Sequence, residues 1–291
     1  MGFGWDKVVL GRTGLSVGRI GIGTSSGLSA RDLEEAVDRG INYLYWGSLR
    51  KPAFGEAIRQ VARQRRDQIA VVVQSYTRAA FLMKGSIEGA LRDLKIDYCD
   101  LLLLGMWNET PPRRILDAAI ALRESGKAKH IMISCHQRTT FEKYIANPEY
   151  AAIMVRYNAA HPGAEQEVFP HLAPRDRGPS ARPGVVAYTA TRWGGLLNPS
   201  LLPSDEPAPR GSDCYRFALS HPDVDVVLCG PKDRSELDEA LRALDRGPMS
   251  EDELAWMKRV GKVVRAAAPG KSGNAPIMWL DRVLGAGDRA R

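Results

Sequence analysis

Two hydrophobic patterns alternate along the chain. Short apolar runs rich in β-branched residues are typical of buried strands, and longer stretches with apolar residues every three or four positions are typical of amphipathic helices. The strand candidates are Ile20–Thr24, Tyr43–Tyr45, Ile69–Gln74, Leu101–Leu104, His130–Ser134, Ile153–Arg156, Val185–Thr189 and Val224–Leu228. The helix candidates between and after them are Ala30–Arg39, Phe54–Gln64, Met83–Leu94, Arg113–Ser125, Thr140–Ala146, Ala164–Leu172, Asp213–Ser220 and Ser235–Asp245.

This alternation predicts an α/β fold in which parallel strands are joined by crossover helices. Eight strand–helix units fit a closed (β/α)8 barrel, or TIM barrel, better than an open sheet. No G-x-G-x-x-G turn follows the first strand, which argues against a dinucleotide-binding Rossmann domain.

Three segments lie outside the repeat. Val8–Val17 is predicted to form an N-terminal β-hairpin that plugs the floor of the barrel, and Ser250–Ala267 is predicted to form a C-terminal amphipathic helix. We therefore expect one barrel domain over residues 1–267. We expect residues 268–291 to be a tail that either docks as a short apolar turn or is flexible.

Composition narrows the class of protein. The chain is 44% apolar and 26% charged, and no apolar run approaches the roughly 18–20 residues of a membrane span. We expect a cytoplasmic protein that does not bind membranes. The net charge of +7 is spread over helices and loops without a stacking or groove-reading motif, so we expect no nucleic-acid partner. The scattered cysteines show no metal-ligand spacing, and the oligomeric state stays open.

The functional groups of a TIM barrel come from the loops after its strands. Aromatic residues concentrate there, together with Arg156, Arg192, Lys232 and Arg234. Among the residues that directly follow the strands, the first acidic one is Glu109. We expect an aromatic, positively charged mouth for a small aromatic or anionic substrate. The alternative is that the tryptophans merely cap the barrel core. The candidate substrate-binding residues are Trp46, Tyr76, Trp107, Asn108, Arg156, Asn158 and Trp193.

Several segments, taken in order, resemble the aldo-keto reductases. They include LGRTGLSVGRIGIGT (Leu10–Thr24), GINYLYWG (Gly40–Gly47), LRDLKIDYCDLLLL (Leu91–Leu104), GKAKHIMIS (Gly126–Ser134) and RYN (Arg156–Asn158). The resemblance covers about residues 7–267. It implies the same barrel and the reduction of carbonyl compounds with NADPH.

The resemblance also implies a catalytic unit of Asp, Tyr, Lys and His, and here this sequence departs from the family. The matching positions hold Tyr45 for the Asp, Leu49 or Arg50 for the Tyr, Gln74 (or Ser75 after a one-residue slip) for the Lys, and Gly105 for the His. We therefore expect a non-standard active site. Its catalytic candidates are Tyr45, as a replacement proton donor or as simple packing, Gln74, and His136, as a general base or a surface residue.

The family's cofactor positions are better matched. Ser134 matches the serine that binds the nicotinamide amide and Tyr188 the tyrosine that stacks on the ring, although Cys135 and Met154 replace the usual Asn and Gln. The full set of candidate cofactor-binding residues is Ser134, Tyr188, Arg192, Lys232, Arg234 and Glu239, with Lys232 and Arg234 as partners of a 2′-phosphate. NADPH is the expected cofactor.

Three hypotheses for function remain. The first is an NADPH-dependent oxidoreductase that reduces a small carbonyl compound with a rebuilt proton donor. The second is a cofactor-independent lyase, dehydratase or isomerase that uses the aromatic, basic mouth. The third is a catalytically inactive barrel that binds NADPH or serves as a scaffold. The fold alone does not choose between them, since TIM barrels host many chemistries.

Overall fold

The computed structural model describes residues 4–23, 26–47 and 50–267 of the chain. A two-stranded antiparallel hairpin, β1 (Val8–Val9) and β2 (Ser16–Val17), comes first. The parallel strands that follow are β3 (Ile20–Ile22), β4 (Tyr43–Trp46), β5 (Ala70–Ser75), β6 (Cys99–Leu104), β7 (Ala128–Cys135), β8 (Tyr150–Arg156), β9 (Gly184–Tyr188) and β10 (Val226–Cys229).

These parallel strands form a closed barrel in chain order, and β10 pairs with β3 to complete it. The helices are α1 (Ala30–Asp38), α2 (Pro52–Arg65), α3 (Ala80–Leu94), α4 (Arg113–Glu124), α5 (Phe141–Ala146), α6 (Ala164–Glu167), α7 (Gly211–Ser220), α8 (Arg234–Arg246) and α9 (Glu251–Ala267). The predicted (β/α)8 barrel is confirmed, and so are its N-terminal hairpin and its C-terminal helix.

Several predicted boundaries differ from those of the structure, and two of the differences have clear local reasons. The helix predicted over Ala164–Leu172 ends at Glu167, because Pro170 has no backbone N–H to donate to the carbonyl oxygen of Gln166, and a 3₁₀ turn follows. The strand predicted to end at Thr189 ends at Tyr188, because Thr189 has a φ of 58°. Thr24 and the tail from residue 268 lie outside the described residues.

Alternating side chains divide the strands between two cores. On β4 and β5, Tyr43, Tyr45 and Val72 face the barrel interior, whereas Leu44 and Trp46 pack in the outer shell against the helices. Leu10 and Val17, which flank the hairpin turn, join the interior cluster, so the hairpin closes the floor of the barrel as predicted.

The C-terminal helix is fixed to the barrel by an ion pair. Arg216 of α7 is buried and donates from Nη1 and Nη2 to the carboxylate of Glu253 on α9, at 2.6 and 2.8 Å. These charge-assisted bonds hold the pKa of Glu253 at about 2. The other end of α9 reaches the loop after β9, where Arg192 Nη1 donates to the carbonyl oxygen of Val264 at 3.0 Å.

Among residues 4–23, 26–47 and 50–267, no helix combines the length and the apolar composition that crossing a bilayer requires. Within the same ranges, no group of three or more histidine, cysteine or acidic side chains is placed to hold a metal ion.

Candidate active site

The carboxyl ends of the barrel strands bring predicted site residues from distant parts of the chain to one mouth. Tyr45 ends the inward-facing row of β4, and Gln74 ends that of β5. Ser134, Arg156 and Tyr188 hold the matching positions on β7, β8 and β9. Since side chains alternate along a strand, all of them share the interior face.

Tyr45 and Gln74 form a buried hydrogen-bonded pair. The Tyr45 hydroxyl donates to Oε1 of Gln74, and the two residues are 7% and 4% exposed. Below them, Tyr43 donates from its hydroxyl to Sδ of Met132 at 3.6 Å, and burial raises the pKa of Tyr43. We call Tyr45 and Gln74 the Tyr–Gln pair.

The Tyr–Gln pair fits because two neighbouring residues are glycines. A Cβ at Gly105 would collide with the Gln74 amide nitrogen and would lie 2.8 Å from Cε1 of Tyr76. A Cβ at Gly47 would lie 2.6 Å from the Tyr45 hydroxyl oxygen. The pair thus fills the space that larger side chains would need at these positions, and Tyr76 is brought beside it.

Ser134 connects this arrangement to the next strand. Leu104 pairs with Ile133, so the following residues, Gly105 and Ser134, are neighbours across β6 and β7. Ser134 Oγ accepts a hydrogen bond from the backbone N–H of Met106 at 2.9 Å. Within the described part of the chain no group accepts the Ser134 hydroxyl proton, which is therefore available to a ligand oxygen.

Sequence reasoning missed Arg78, which holds the loop after β6. Its guanidinium donates to the carbonyl oxygens of Gly105 and Met106 at 3.1 and 2.7 Å and lies 3.9 Å from the ring centroid of Trp107. Met106 has a φ of 56°, so the loop needs such support. A single arginine three residues after a strand carries no sequence signal for this role.

His136, Arg156 and Tyr188 form a row across three strands. Arg156 pairs in register with Tyr188, and Val155 pairs with Cys135, which places His136 next to Arg156. The His136 ring stacks on Tyr188 at 21° with 6.4 Å between centroids. Burial, and then the charge of Arg156, lower the pKa of His136 to about 4. The imidazole is therefore neutral at pH 7 and is a weak base.

The two predicted asparagines hold loops together. Asn108 Oδ1 accepts the backbone N–H groups of His136 and Gln137 at 2.9 and 3.2 Å. Asn158 is fully buried, donates to the carbonyl oxygen of Thr189 at 2.8 Å and accepts from the backbone N–H of His161 at 2.9 Å. These contacts use both polar atoms of the Asn158 amide and the oxygen of the Asn108 amide.

The structure does not bring the predicted tryptophans together in the mouth. Trp46 follows Tyr45 and so points to the outer shell, where it donates from Nε1 to the carbonyl oxygen of Lys51 and packs on Gly55. Trp107 is buried in the same shell. Trp193 is 64% exposed on the loop after β9. Trp46 and Trp107 are therefore placed as the alternative interpretation expected, as part of the hydrophobic core.

Three of the predicted cofactor-binding residues, Lys232, Arg234 and Glu239, already have protein partners. Arg234 pairs with Glu35, Asp32 and Asp238, and Glu239 accepts hydrogen bonds from Ser212. Lys232 pairs with Glu236 at 3.5 Å, but its side chain is 83% exposed. Lys232 therefore has the greatest freedom to meet a phosphate.

Cys135 and Arg50 stand at positions that match functional residues of the family in sequence, and both side chains are held by backbone carbonyl oxygens. Burial raises the pKa of the Cys135 thiol to about 12, and its Sγ lies 2.9 Å from the carbonyl oxygen of Gln137, so it is not a thiolate nucleophile at neutral pH. Arg50, one of two positions that match the family's tyrosine, donates to the backbone carbonyl oxygen of Gln74 at 2.7 Å. The other position, Leu49, lies outside the described residues.

Comparison with known proteins agrees with this architecture. The sequence profile of the Aldo/keto reductase family matches residues 14–196, so the chain belongs to that family. The uncharacterized oxidoreductase YrpG of Bacillus subtilis (strain 168) is 24% identical to it, over 93% of this chain and 98% of that protein.

Solved structures show the same fold at low identity. An aldo-keto reductase from Bacillus halodurans superposes with a TM-score of 0.72 at 20% identity, covering 92% of this chain and 99% of that one. An aldo-keto reductase from Klebsiella pneumoniae, solved in complex with NADPH, gives a TM-score of 0.69 at 22% identity, covering 88% and 95%.

Proposed function

We propose that the chain is an NADPH-dependent oxidoreductase that reduces a carbonyl compound, with Tyr45 as the proton donor in place of the family's catalytic unit. The observation that carries the proposal is the buried hydrogen bond from the Tyr45 hydroxyl to Gln74, at the ends of two adjacent inward-facing rows. Membership of the family and the NADPH complex of a structural neighbour support the cofactor.

The residues at the centre of the mouth fit the nicotinamide end of the cofactor. The half-buried ring of Tyr188 offers an aromatic surface for a nicotinamide ring. Ser134 has a hydroxyl proton for the amide oxygen. Bound NADPH would supply the hydride that reduces the carbonyl carbon.

The residues at the adenine side fit less completely. Arg234 is shared among three carboxylates, which leaves Lys232 as the main partner for a 2′-phosphate. Arg192 is buried on the loop after β9, where its guanidinium adds positive charge near the cofactor's expected path. We therefore expect the preference for NADPH over NADH to depend on Lys232.

The Tyr–Gln pair would handle the proton as follows. Tyr45 gives its hydroxyl proton to the carbonyl oxygen as the carbonyl carbon is reduced, so the product is an alcohol and Tyr45 becomes a phenolate. The Gln74 amide can rotate to present an Nε2 proton to that phenolate, which replaces the stabilisation that a lysine would give. Water restores the Tyr45 proton after the alcohol leaves.

The proposal is tested by binding and turnover together. NADPH is titrated by protein fluorescence, and its oxidation is followed at saturating 4-nitrobenzaldehyde. We expect Tyr45→Phe to lower kcat about 100-fold or more while the Kd for NADPH stays unchanged. Tyr43→Phe is the matched control, because Tyr43 lies on the same face of the same strand one layer deeper, and it should retain the wild-type kcat.

Each outcome has a definite meaning. Absence of NADPH binding would contradict the proposed function. Binding without aldehyde-dependent oxidation favours an inactive NADPH-binding barrel. An unchanged kcat in Tyr45→Phe leaves the oxidoreductase intact but removes Tyr45 as the donor.

A further inference from the structure

Arg156 is a half-buried cation without an acidic partner. Within residues 4–23, 26–47 and 50–267 its guanidinium makes no hydrogen bond or ion pair, and its Nε is fully buried. Burying an arginine is costly unless its charge and its N–H groups are satisfied. Arg138, by comparison, pairs with Glu167, and Arg182 pairs with Asp223.

The surroundings of Arg156 add positive charge. Burial lowers the pKa of Arg156, Tyr188 opposes this shift, and the nearby charges of Arg138 and Arg265 lower the pKa further. His161, on the loop after β8, has a pKa lowered to about 4 by burial and then by Arg156, Arg192, Arg265 and Arg138. Glu167 pairs with Arg138, whereas the charge of Arg156 itself has no acidic partner in the described residues, and a bound anion would neutralise it.

The fold directs Arg156 toward the proposed reaction site. Arg156 continues the inward-facing row of Ala152 and Met154, and it stands in register beside Tyr188. His136 completes an aromatic wall on its other side. A planar acid bound to the guanidinium fork would thus lie against aromatic rings at the mouth.

We infer that Arg156 anchors an oxyanion site, and that the ligand it takes is a carboxylate carried by an aromatic or otherwise planar carbonyl substrate. The planar guanidinium binds both oxygens of a carboxylate with two parallel N–H bonds. That the ligand is a carbonyl substrate rests on the proposed function, but the existence of an anion site at Arg156 does not. Phosphate groups share this chemistry, so the test must separate a substrate carboxylate from a cofactor phosphate.

The site is tested first by binding without cofactor or turnover. Isothermal titration calorimetry compares benzoate with nitrobenzene, a neutral molecule of nearly the same shape, on the full chain at low ionic strength. We expect benzoate to bind and nitrobenzene to bind at least about tenfold more weakly. Arg156→Gln should weaken benzoate binding about tenfold or more and leave nitrobenzene unchanged.

Matched variants separate the site from the general charge of the protein. Arg63→Gln removes the same charge from the last turn of α2, at the opposite end of the barrel, and should retain wild-type benzoate affinity. Arg156→Lys should give intermediate affinity, because it keeps the charge and loses the fork. It also serves if Arg156→Gln fails to fold, which circular dichroism would reveal.

The cofactor arm uses NADPH and inorganic phosphate with the same variants. An unchanged NADPH affinity in Arg156→Gln assigns the site to the substrate. A loss of NADPH and phosphate affinity with benzoate unaffected overturns that assignment. The inference also fails if benzoate does not bind at about 10 mM, or if Arg63→Gln weakens it as much as Arg156→Gln does.

A catalytic arm links the site to turnover. The ratio of kcat/KM for 4-carboxybenzaldehyde to that for 4-nitrobenzaldehyde should exceed one, and Arg156→Gln should lower it about tenfold. If the wild-type protein shows no turnover, the proposed function fails, while the benzoate titration still decides whether the anion site exists.

Discussion

The hydroxyl of Tyr45 donates a hydrogen bond to Oε1 of Gln74, and both residues are buried near the carboxyl ends of the neighbouring strands β4 and β5. Two buried polar side chains are thus hydrogen-bonded to each other. The arrangement has consequences for stability that can be measured separately from any activity.

Removing either partner of the Tyr–Gln pair should destabilise the fold. We expect Tyr45→Phe and Gln74→Leu each to lower the free energy of unfolding by about 1–3 kcal/mol, because each leaves a buried polar group without its partner. The double variant should cost less than the sum by about 1 kcal/mol. Urea unfolding of the four proteins measures this coupling, and strict additivity would show that the two side chains act independently.

The space above Gly105 is already taken by Gln74. Gly105→Ala should therefore lower the free energy of unfolding by about 1–3 kcal/mol through overpacking. In a Gln74→Ala background, Gly105→Ala should lower the free energy of unfolding by less than half as much. The remaining loss would come from the contact of the new Cβ with Tyr76. Gly85→Ala on α3 is the control, since no side chain lies within 4 Å of the new Cβ and the change should not destabilise. Equal costs of Gly105→Ala in both backgrounds would contradict the predicted collision.

Protonation of His136 should oppose folding in mild acid. Its pKa is about 4 in the folded protein and about 6.5 in an unfolded chain, so between these values the unfolded state binds more protons. Stability from the neutral imidazole is complete above pH 6.5 and is lost as the pH falls toward 4. The loss amounts to about 2 kcal/mol at pH 5.

The measurement is the slope of unfolding free energy between pH 7 and pH 5 for wild type and His136→Gln. His136→Gln has no imidazole to protonate in this range, so its free energy of unfolding should fall by about 2 kcal/mol less than that of wild type. His171→Gln is the control, because His171 is exposed, and its slope should match wild type. Parallel curves for wild type and His136→Gln would rule out the lowered pKa.

Asn108 should matter for loop order rather than for substrate binding. Asn108→Ala removes the acceptor of two backbone N–H groups and should cost about 1–3 kcal/mol of unfolding free energy. Asn108→Asp keeps an acceptor oxygen and should cost less. Hydrogen exchange of the His136 and Gln137 amides should accelerate in the alanine variant alone. If both amides remain as protected as in wild type, Asn108 does not hold this loop.

The sequence by itself determined the number, order and parallel direction of the barrel strands, because hydrophobic periodicity is a local property that each segment carries. It also contained the separation of Tyr45 from Trp46, since adjacent strand residues face opposite sides.

Only the tertiary structure decided which side chains meet. Tyr45 and Gln74 are hydrogen-bonded between two adjacent strands, and the Asn108 side chain accepts a hydrogen bond from the loop after β7. Arg156 is left without an acid because of where the folded chain places every Asp and Glu within the described residues. Such contacts depend on the packing of the whole barrel, which no local pattern records.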